Sequence, residues 1–392
     1  MRIAFTPEQE ALRDELRSYF AELMTPELVQ EIEESGEGGG PLYQQTLRKM
    51  GADGWLGIGW PKEYGGQGRS PVEQYIFSDE VQRAGFPLPF LTLSTVGPTL
   101  MRFGSEEQKA EFLPKILRGE LHCAIGYSEP NAGTDLASLT TKAVRDGDEW
   151  VINGQKVFTS LADYADFIWL AARTDPDAPK HQGISMFMVP TTAPGYKITP
   201  IWTMGSLRTN ATYYEDVRVP SSYLVGEENT GWGMIVSQLN HERVSLMTPG
   251  PFSRVFDETV RWAKETKLSD GRRVIDRPFV QMNLARTKAH LEVLKLMNWK
   301  QAWALTQGQL HPADASAVKV FGSEFFVEGS RWLLEVIGQA GYLKKGSPGS
   351  VLRGRIERHY RAVSILTFGG GTNEIQRDII AAAGLQMPRG RR

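Results

Sequence analysis

The chain is organised around a segment that begins with Tyr127-Ser128-Glu129-Pro130-Asn131-Ala132-Gly133-Thr134-Asp135 and ends with Lys156-Val157-Phe158-Thr159-Ser160. Small, polar and glycine-rich residues stand at both ends of this segment. Such residues let a backbone approach a flat or charged ligand closely. The segment is therefore the first candidate for a ligand site.

The residues between the two ends have the pattern of antiparallel sheet. Apolar and polar residues roughly alternate over 136–145 and again over 149–152, and Asp146-Gly147-Asp148 supplies a turn between them. Asn153-Gly154 follows, and Asn-Gly is a strong hairpin signal because a type I′ turn needs positive φ at both central residues. The sequence therefore predicts paired strands, with a tight turn at Asn153-Gly154.

Length and composition exclude several classes of protein. With 392 residues, 41% of them hydrophobic, the chain is long enough for two or three domains. A formal net charge of −2 gives no long-range attraction to nucleic acid or to an anionic membrane surface. We therefore expect no nucleic acid and no membrane among its partners.

Cysteine and histidine usage argues against a disulfide framework and against a metal site. Cys123 is the only cysteine, and the six histidines show no ligand spacing such as H-x-x-x-H. The sequence begins with a charged helical pattern instead of an apolar leader, and no apolar run approaches membrane-spanning length. These features predict a cytoplasmic protein without a bound metal.

The periodicity of the sequence changes twice along the chain. Helical patterns cover residues 6–117 and open with Thr6-Pro7, in which a capping Thr precedes a Pro at the first helical position. From 121 to 224 the period is two, without intervening helices, which argues against a Rossmann fold. Strands are expected at 166–172, 183–189, 195–201 and 211–219.

Helical patterns return after Gly231. One apolar stripe includes Ile235 and Leu239, and Pro249 and Pro251 should break or kink its helix. A second stripe at three- and four-residue steps is typical of a helix that turns one face to a core. That stripe comprises Phe279, Met282, Ala285, Ala289, Val293 and Leu296.

The predicted fold class is α+β and multidomain. We expect an N-terminal helical domain at residues 1–120, a middle antiparallel β domain at 121–228 and a C-terminal helical domain at 229–392. Further C-terminal helices are predicted at 313–337 and 373–383.

Four motifs, in order and at matching separations, resemble those of the acyl-CoA dehydrogenases. The Ser-Glu-Pro-Asn-Ala-Gly-Thr-Asp run resembles the family's T/S-E-P-x-A-G-S/T-D signature. The other three are Asn153-Gly154-Gln155-Lys156, Asp216-Val217-Arg218-Val219-Pro220 and Gly371-Thr372-Asn373-Glu374-Ile375-Gln376-Arg377. The resemblance covers nearly the whole chain and implies a C-terminal four-helix bundle, with FAD between the β domain and the helices.

The resemblance also implies which residues bind the cofactor. Tyr127 and Ser128 match positions at the flavin pyrimidine ring, and Gly133 and Thr134 match a pair near the FAD pyrophosphate and the substrate. Phe158 takes the place of an aromatic residue packed on the flavin. The remaining cofactor residues implied are Ser160, Thr372 and Glu374.

The catalytic base of most family members is a Glu directly before Gly-Thr near the C-terminus, and here that position is Gly370. A minority of the family, including the isovaleryl and long-chain enzymes, carries the base on a bundle helix in a motif ending Glu-Arg. Glu242-Arg243 matches this motif, and Glu242 joins an apolar stripe, where burial would raise the pKa of a carboxyl group. A structural carboxylate paired with a distant Arg is the alternative, and His241 is a weaker candidate base.

The family resemblance assigns four residues to the acyl-CoA substrate. Gly370 would give its N–H to the thioester carbonyl, which the reaction needs to polarise. The other three substrate residues are Thr134, Asn240 and Arg243.

Two departures from the family pattern suggest a partner subunit. Homotetrameric members complete a neighbour's FAD site through an R-x-x-F-G and a Q-x-x-G-G-x-G segment. Here Lys267 and Asp270 replace the Arg and Phe, and Glu335 replaces the Gln, so negative charge lies where a pyrophosphate or adenosine would sit. The pattern resembles actinobacterial α2β2 acyl-CoA dehydrogenases of steroid side-chain β-oxidation; a homotetramer is the alternative.

Three functions follow from these residues. The first is FAD-dependent α,β-dehydrogenation of a bulky acyl-CoA, with electron-transferring flavoprotein as the usual acceptor of the family. The second is a non-catalytic partner subunit, which Gly370 favours and Glu242 opposes. The third is a flavin monooxygenase on the same fold, which would not need a carboxylate at Glu242.

Overall fold

The computed structural model describes residues 4–35 and 38–388; for residues 239–246 it describes the helical backbone but not the side chains. Twelve α-helices and eight β-strands lie in these ranges, in the order helices, sheet, helices. Over the same ranges, none of the helices combines the length and the apolar character needed to cross a membrane.

The first six helices confirm the predicted N-terminal helical region. Thr6, Ser70 and Ser105 each cap a helix with a side-chain oxygen, and the third helical residue bonds back to the cap. Pro at the first turn needs no amide hydrogen there. These helices are α1 (Pro7–Leu23), α2 (Pro26–Ser35), α3 (Pro41–Ala52), α4 (Pro71–Ala84), α5 (Gly97–Phe103) and α6 (Glu106–Leu117).

The middle region is one twisted sheet, largely antiparallel as predicted. Its strands are β1 (Cys123–Gly126), β2 (Lys142–Asp146), β3 (Glu149–Lys156), β4 (Phe167–Arg173), β5 (Ile184–Pro190), β6 (Tyr196–Trp202), β7 (Arg208–Pro220) and β8 (Leu224–Val225). The order is β6-β7-β3-β2-β4-β5-β8, and β1 joins β4 in parallel.

The prediction of a turn at Asn153-Gly154 was wrong. The hairpin turn lies at Gly147-Asp148, and β3 continues through Asn153-Gly154 as a bulge against β7. Gly154 is needed there because a Cβ atom would lie 2.5 Å from the Thr141 hydroxyl oxygen. The Asn153 side chain instead bonds with Asp216 on β7, at 2.9 Å.

The strand predicted at 136–145 is shorter than expected. Leu136–Ser138 forms a 3₁₀ turn, and the strand begins at Lys142. The cause is Glu129, whose carboxylate accepts the Thr140 and Thr141 amide hydrogens that a ladder would otherwise use.

The central strands are buried on both faces. Trp169 of β4 and Met188 of β5 belong to the core shared with the N-terminal helices. Ile168 and Phe187 face a second core inside the β domain. Burial on both faces explains the continuous apolar run of β4.

The last six helices form the C-terminal region. The prolines at 249 and 251 separate α7 from α8, as predicted. The predicted helix at 313–337 is present, and the one at 373–383 ends in a π-helical turn. The helices are α7 (Gly231–Leu246), α8 (Gly250–Glu265), α9 (Pro278–Thr306), α10 (Pro312–Ile337), α11 (Arg355–Val363) and α12 (Asn373–Ile379).

The expectation that the second apolar stripe faces the core was wrong. Helix α9 packs through its other face, which includes Val280, Leu291 and Leu294. The predicted stripe lies on the surface because this helix carries apolar residues on two faces. Its large side chains are 43% to 50% exposed, namely Phe279, Met282, Val293 and Leu296.

Candidate active site

The two ends of the motif-bearing segment lie side by side. The Val157 amide donates to the Ser128 carbonyl at 2.8 Å, so the run after β1 is held against the run after β3. The Thr159 amide donates in turn to the Asn210 carbonyl of β7 at 2.9 Å. The sheet thus brings together Tyr127, Ser128, Phe158 and Ser160, four of the predicted cofactor residues.

A buried ion pair fastens these two runs. The Lys156 ammonium, fully buried, lies 2.8 Å from Glu129 Oε1 and also donates to the Tyr127 carbonyl at 3.1 Å. Glu129 further accepts hydrogen bonds from Thr140 and Thr141. Sequence reasoning missed this role, although both residues stand in the quoted motifs.

The electrostatics of the pair favour its ionised form. Burial alone would raise the pKa of Glu129, but the Lys156 ammonium and the hydrogen bonds lower it to about 2. Burial lowers the pKa of Lys156, and Glu129 opposes this shift. The stability from ionised Glu129 is therefore present above the usual carboxyl pKa and is lost as the pH falls towards 2.

Tyr127 links the β domain to the helices on either side. Its hydroxyl accepts the Trp169 indole N–H at 3.0 Å and is hydrogen-bonded to Gln238 of α7. Gln238 donates to the Thr99 hydroxyl of α5 at 2.9 Å. This network fixes α7 one turn before Glu242, and sequence reasoning did not find it because its members are far apart in the chain.

Phe158 stands in an unusual conformation at the edge of the sheet. Its φ is +60°, and its ring is 65% exposed. Positive φ is rare for a bulky residue and is often kept at functional sites. The neighbouring Ser160 is half-buried, with its hydroxyl 3.0 Å from that of Thr209.

Gly133 and Thr134, later in the run that begins at Tyr127, form an open shelf on the surface. Both are exposed, and a Cβ atom at Gly133 would meet no protein atom within 4 Å. Packing within the chain therefore does not require glycine here. Asp135 follows and pairs with Lys180 at 2.9 Å.

The C-terminal motif forms a glycine loop in front of α12. Gly370 and Gly371 have φ of +68° and +90°, which side chains rarely adopt. The Thr372 hydroxyl accepts the Ile375 amide hydrogen and so begins α12, and Glu374 in its first turn is exposed. Gly370 is thus placed by a loop that a larger residue would strain.

Helix α11, which precedes the glycine loop in the chain, meets the β domain at the tip of the β6-β7 hairpin. Arg361 of α11 donates to the Ser206 hydroxyl at 3.0 Å and to the Met204 carbonyl. A Cβ atom at Gly205 would lie 2.8 Å from Ala362 Cα, so the hairpin approaches α11 closely. The strand that leaves this hairpin carries Thr209, the partner of Ser160.

Three of the predicted site residues lie outside the described side chains. Asn240, Glu242 and Arg243 belong to the segment 239–246, as does the weaker candidate His241. Their backbone continues helix α7. Their roles therefore remain predictions.

The residues that depart from the family pattern in the C-terminal region contact other residues of the same chain. Asp270 accepts from Arg272 at 2.6 Å, and Lys267 forms a β-bridge with Arg273. Glu335 accepts from the Asn283 side chain at 2.8 Å. The negative charge at Asp270 is thus partly balanced.

Three family models match the chain in succession. The N-terminal domain of acyl-CoA dehydrogenase matches residues 6–120, the middle domain 124–217 and the C-terminal domain 229–385. The chain belongs to the acyl-CoA dehydrogenase family. This confirms the predicted fold class and the enzyme class.

Individual acyl-CoA dehydrogenases are similar over the full length. The acyl-CoA dehydrogenase FadE26 of Mycobacterium tuberculosis is 56% identical over 400 residues, covering 100% of both chains. A chain of the ChsE4-ChsE5 complex from Mycobacterium tuberculosis is 57% identical, with a TM-score of 0.93 and 100% of both chains covered. A chain of the Tcur3481-Tcur3483 steroid ACAD is 51% identical, with the same TM-score and coverage.

Acyl-CoA dehydrogenases generally use FAD. The described residues fit a flat, polar ring system: the exposed ring of Phe158, the half-buried hydroxyls of Ser128 and Ser160, and the open shelf at Gly133. We infer that these residues would hold the cofactor.

Replacing Lys156 by Met should destabilise the fold strongly. The change leaves the buried Glu129 carboxylate without its cation, which costs about 3–5 kcal/mol. Urea unfolding followed by tryptophan fluorescence measures the loss.

The double variant Lys156→Met/Glu129→Gln is the control for this measurement. It removes both charges and should recover part of the lost stability. A Lys156→Met protein that unfolds at the wild-type urea concentration would contradict the proposed importance of the pair.

Proposed function

We propose that the chain catalyses FAD-dependent α,β-dehydrogenation of an acyl-CoA to the trans-2-enoyl-CoA, with Glu242 as base. One observation carries the proposal: the C-terminal loop has glycine at the usual base position, and a carboxylate stands instead on α7. The substrate loses an α-proton to the Glu242 carboxylate and a β-hydride, which FAD accepts when bound.

The described part of α7 supports the position of the base. Met234, Ile235 and Gln238 are buried, and position 242 follows Gln238 by four residues and Ile235 by seven. The helical repeat carries this row to residue 242. Gln238 also ties the helix to Tyr127, so the backbone that presents the base is anchored to the motif segment.

The opposite side of the substrate is assigned to the glycine loop. Gly370 would donate its N–H to the thioester oxygen, where negative charge increases as the α-proton leaves. Asn240, Arg243 and Thr134 are assigned to the rest of the substrate by their motif positions.

The proposed cofactor site uses the residues that the sheet brings together. Phe158 would pack on the ring, and Tyr127, Ser128, Gly133 and Ser160 would line it. From the motif positions, Thr134, Thr372 and Glu374 would complete it.

The glycine loop leaves room for a bulky acyl group. The three glycines at 369–371 place no side chain beside the substrate carbonyl. The Tcur3481-Tcur3483 complex, one chain of which is 51% identical to this chain, is a steroid ACAD. Both support a steroid side-chain thioester as substrate, in β-oxidation, and electron-transferring flavoprotein is the proposed acceptor.

The exposed face of α9 supports an assembly with another subunit. The row extends to Trp303, which is 61% exposed, and its positions follow alternating three- and four-residue steps when Arg286 and Lys300 are counted in it. This seven-residue repeat is typical of helices that pack against another helix. Helix α9 already buries one face in its own chain, so this exposed face would be its second packing surface.

The proposed occupant is the long helix of a second, different acyl-CoA dehydrogenase-like chain in an α2β2 assembly. Arg286 and Lys300 interrupt the apolar row. If two copies of α9 packed antiparallel about the centre of this row, Arg286 of one copy would lie opposite Leu296 of the other, and Lys300 opposite Met282. A partner with acidic residues opposite them fits better, and the ChsE4-ChsE5 relative is a complex of two proteins.

The change Glu242→Gln should abolish substrate-dependent flavin bleaching. Removing a general base slows proton abstraction by about 10²–10⁴-fold. The measurement is the anaerobic visible spectrum of the flavoprotein with its copurifying partner, before and after addition of a steroid-side-chain acyl-CoA.

Glu228→Gln, at an exposed position just before α7, is the matched control and should bleach normally. Equal bleaching in wild type and Glu242→Gln would move the base to the partner. Absence of bleaching in both would favour the non-catalytic subunit, and oxygen-dependent product without enoyl-CoA would favour the monooxygenase.

The change Leu296→Glu should dissociate the assembly without unfolding the chain. The side chain is 50% exposed in the single chain, so the charge is tolerated there but not in a buried interface. Light scattering after gel filtration of the coexpressed subunits measures the mass.

Val144→Glu, on the exposed side of β2, is the matched control because Val144 is 55% exposed. It should leave the mass unchanged. An intact assembly with Leu296→Glu would reject the α9 face as the interface, and a fully flavinylated homotetramer of this chain alone would reject the heteromer.

A further inference from the structure

A buried lysine lies under the glycine loop. Lys319 of α10 is 1% exposed, and its ammonium donates to the Gly371 carbonyl at 2.7 Å and to Asn373 Oδ1 at 2.8 Å. Both acceptors are uncharged oxygens. The ammonium thus ties α10 to the glycine loop and to the first residue of α12.

The preceding carbonyl of the loop is held from the same side. Gln376, fully buried, donates from Nε2 to the Gly370 carbonyl at 3.3 Å. Asn373 is locked by Ser323 of α10, with Nδ2 donating to the hydroxyl at 3.0 Å. Two successive carbonyl groups of the loop therefore face the protein interior.

The amide groups of the same peptides must then face the other way. In a trans peptide the C=O and the following N–H point in opposite directions. Fixing the carbonyls of Gly370 and Gly371 inward thus turns the N–H groups of Gly371 and Thr372 outward. Within residues 4–35 and 38–388, leaving aside the side chains of 239–246, no hydrogen bond joins the N–H groups of 370–372 to a protein acceptor.

Lys319 also strengthens these donors. A cation bound to a carbonyl oxygen polarises the peptide and makes its N–H a better donor, because linked hydrogen bonds reinforce one another. The loop can take this shape because both glycines adopt positive φ. Lys319 therefore fixes the direction of the Thr372 N–H and strengthens it as a donor, and Gln376 fixes the direction of the Gly371 N–H.

We propose that Lys319 is a positioning residue for the reaction: it holds the glycine loop so that the outward N–H groups of Gly371 and Thr372 join the Gly370 N–H in binding the thioester oxygen of the substrate. The inference rests on the proposed function. Lys319 does not touch the substrate itself, and it acts through the loop at residues 370–372.

The test compares Lys319→Met with Lys319→Arg, which retains the charge, in the flavin-loaded complex. Bound cinnamoyl-CoA serves as the probe, because its absorption shifts to longer wavelength when its thioester carbonyl is polarised. This readout needs no turnover. It therefore separates failure of the positioning role from failure of the dehydrogenation proposal.

Cinnamoyl-CoA bound to the Lys319→Met protein should lose most of its red shift. Flavin reduction by the substrate should slow by about 10²-fold, the order expected on losing an oxyanion donor. KM, flavin content and melting temperature should change little, and Lys319→Arg should recover part of the shift. Lys264→Met, at an exposed position on α8, should match wild type.

A normal red shift in Lys319→Met would overturn the proposal. Loss of flavin with a retained shift in the remaining holoenzyme would also overturn it, since the loop would then serve the cofactor. If Lys319→Met does not fold, Gln376→Leu, which releases only the Gly370 carbonyl, must reduce the shift. An unchanged shift in that variant rejects the role.

Discussion

The buried ion pair between Glu129 and Lys156 is the contact on which the rest of the site depends. A buried pair is weak evidence for stability, because apolar residues of similar size often serve as well. Apolar residues could not, however, bind main-chain groups. Lys156 also holds the Tyr127 carbonyl, and Glu129 holds the Thr140 and Thr141 amide groups. The pair therefore organises three separate backbone runs, which explains why charge is retained in the interior.

A buried lysine that binds a backbone carbonyl group occurs twice around the site. Lys156 binds a carbonyl next to the first motif, and Lys319 binds the carbonyl of Gly371 in the last motif. Each ammonium lies behind its loop, where it orients peptide groups. Each lysine also reaches a side-chain oxygen, Glu129 Oε1 for Lys156 and Asn373 Oδ1 for Lys319.

The sequence predicted features set by short-range chemistry and failed where distant contacts decide. Helix starts were found because Thr6 and Ser70 act within one turn. Asn153-Gly154 looked like a turn, but the close approach of Thr141, thirteen residues before Gly154, requires glycine in a continuing strand. Periodicity identified α9 as a helix but could not tell which of its two apolar faces meets its own chain.

The candidate site shows the same division. Motif matching found the residues after β1 and β3, which the strand pairing brings together. It could not find Lys319, because a lysine within an apolar helix pattern carries no signal until the loop 52 residues later is placed against it. The Tyr127, Gln238 and Thr99 network was hidden for the same reason, since each of its bonds joins a different part of the chain.

The proposed position of the base on α7 explains why the C-terminal loop can consist of glycine. A loop that carries the base must accommodate a side chain, and side chains disfavour the positive φ of Gly370 and Gly371. Once the carboxylate is on a helix, the loop is free to adopt that shape and turn its carbonyls inward. Proton abstraction and binding of the thioester oxygen are then assigned to two separately anchored elements. One is anchored through Gln238 and the other through Lys319.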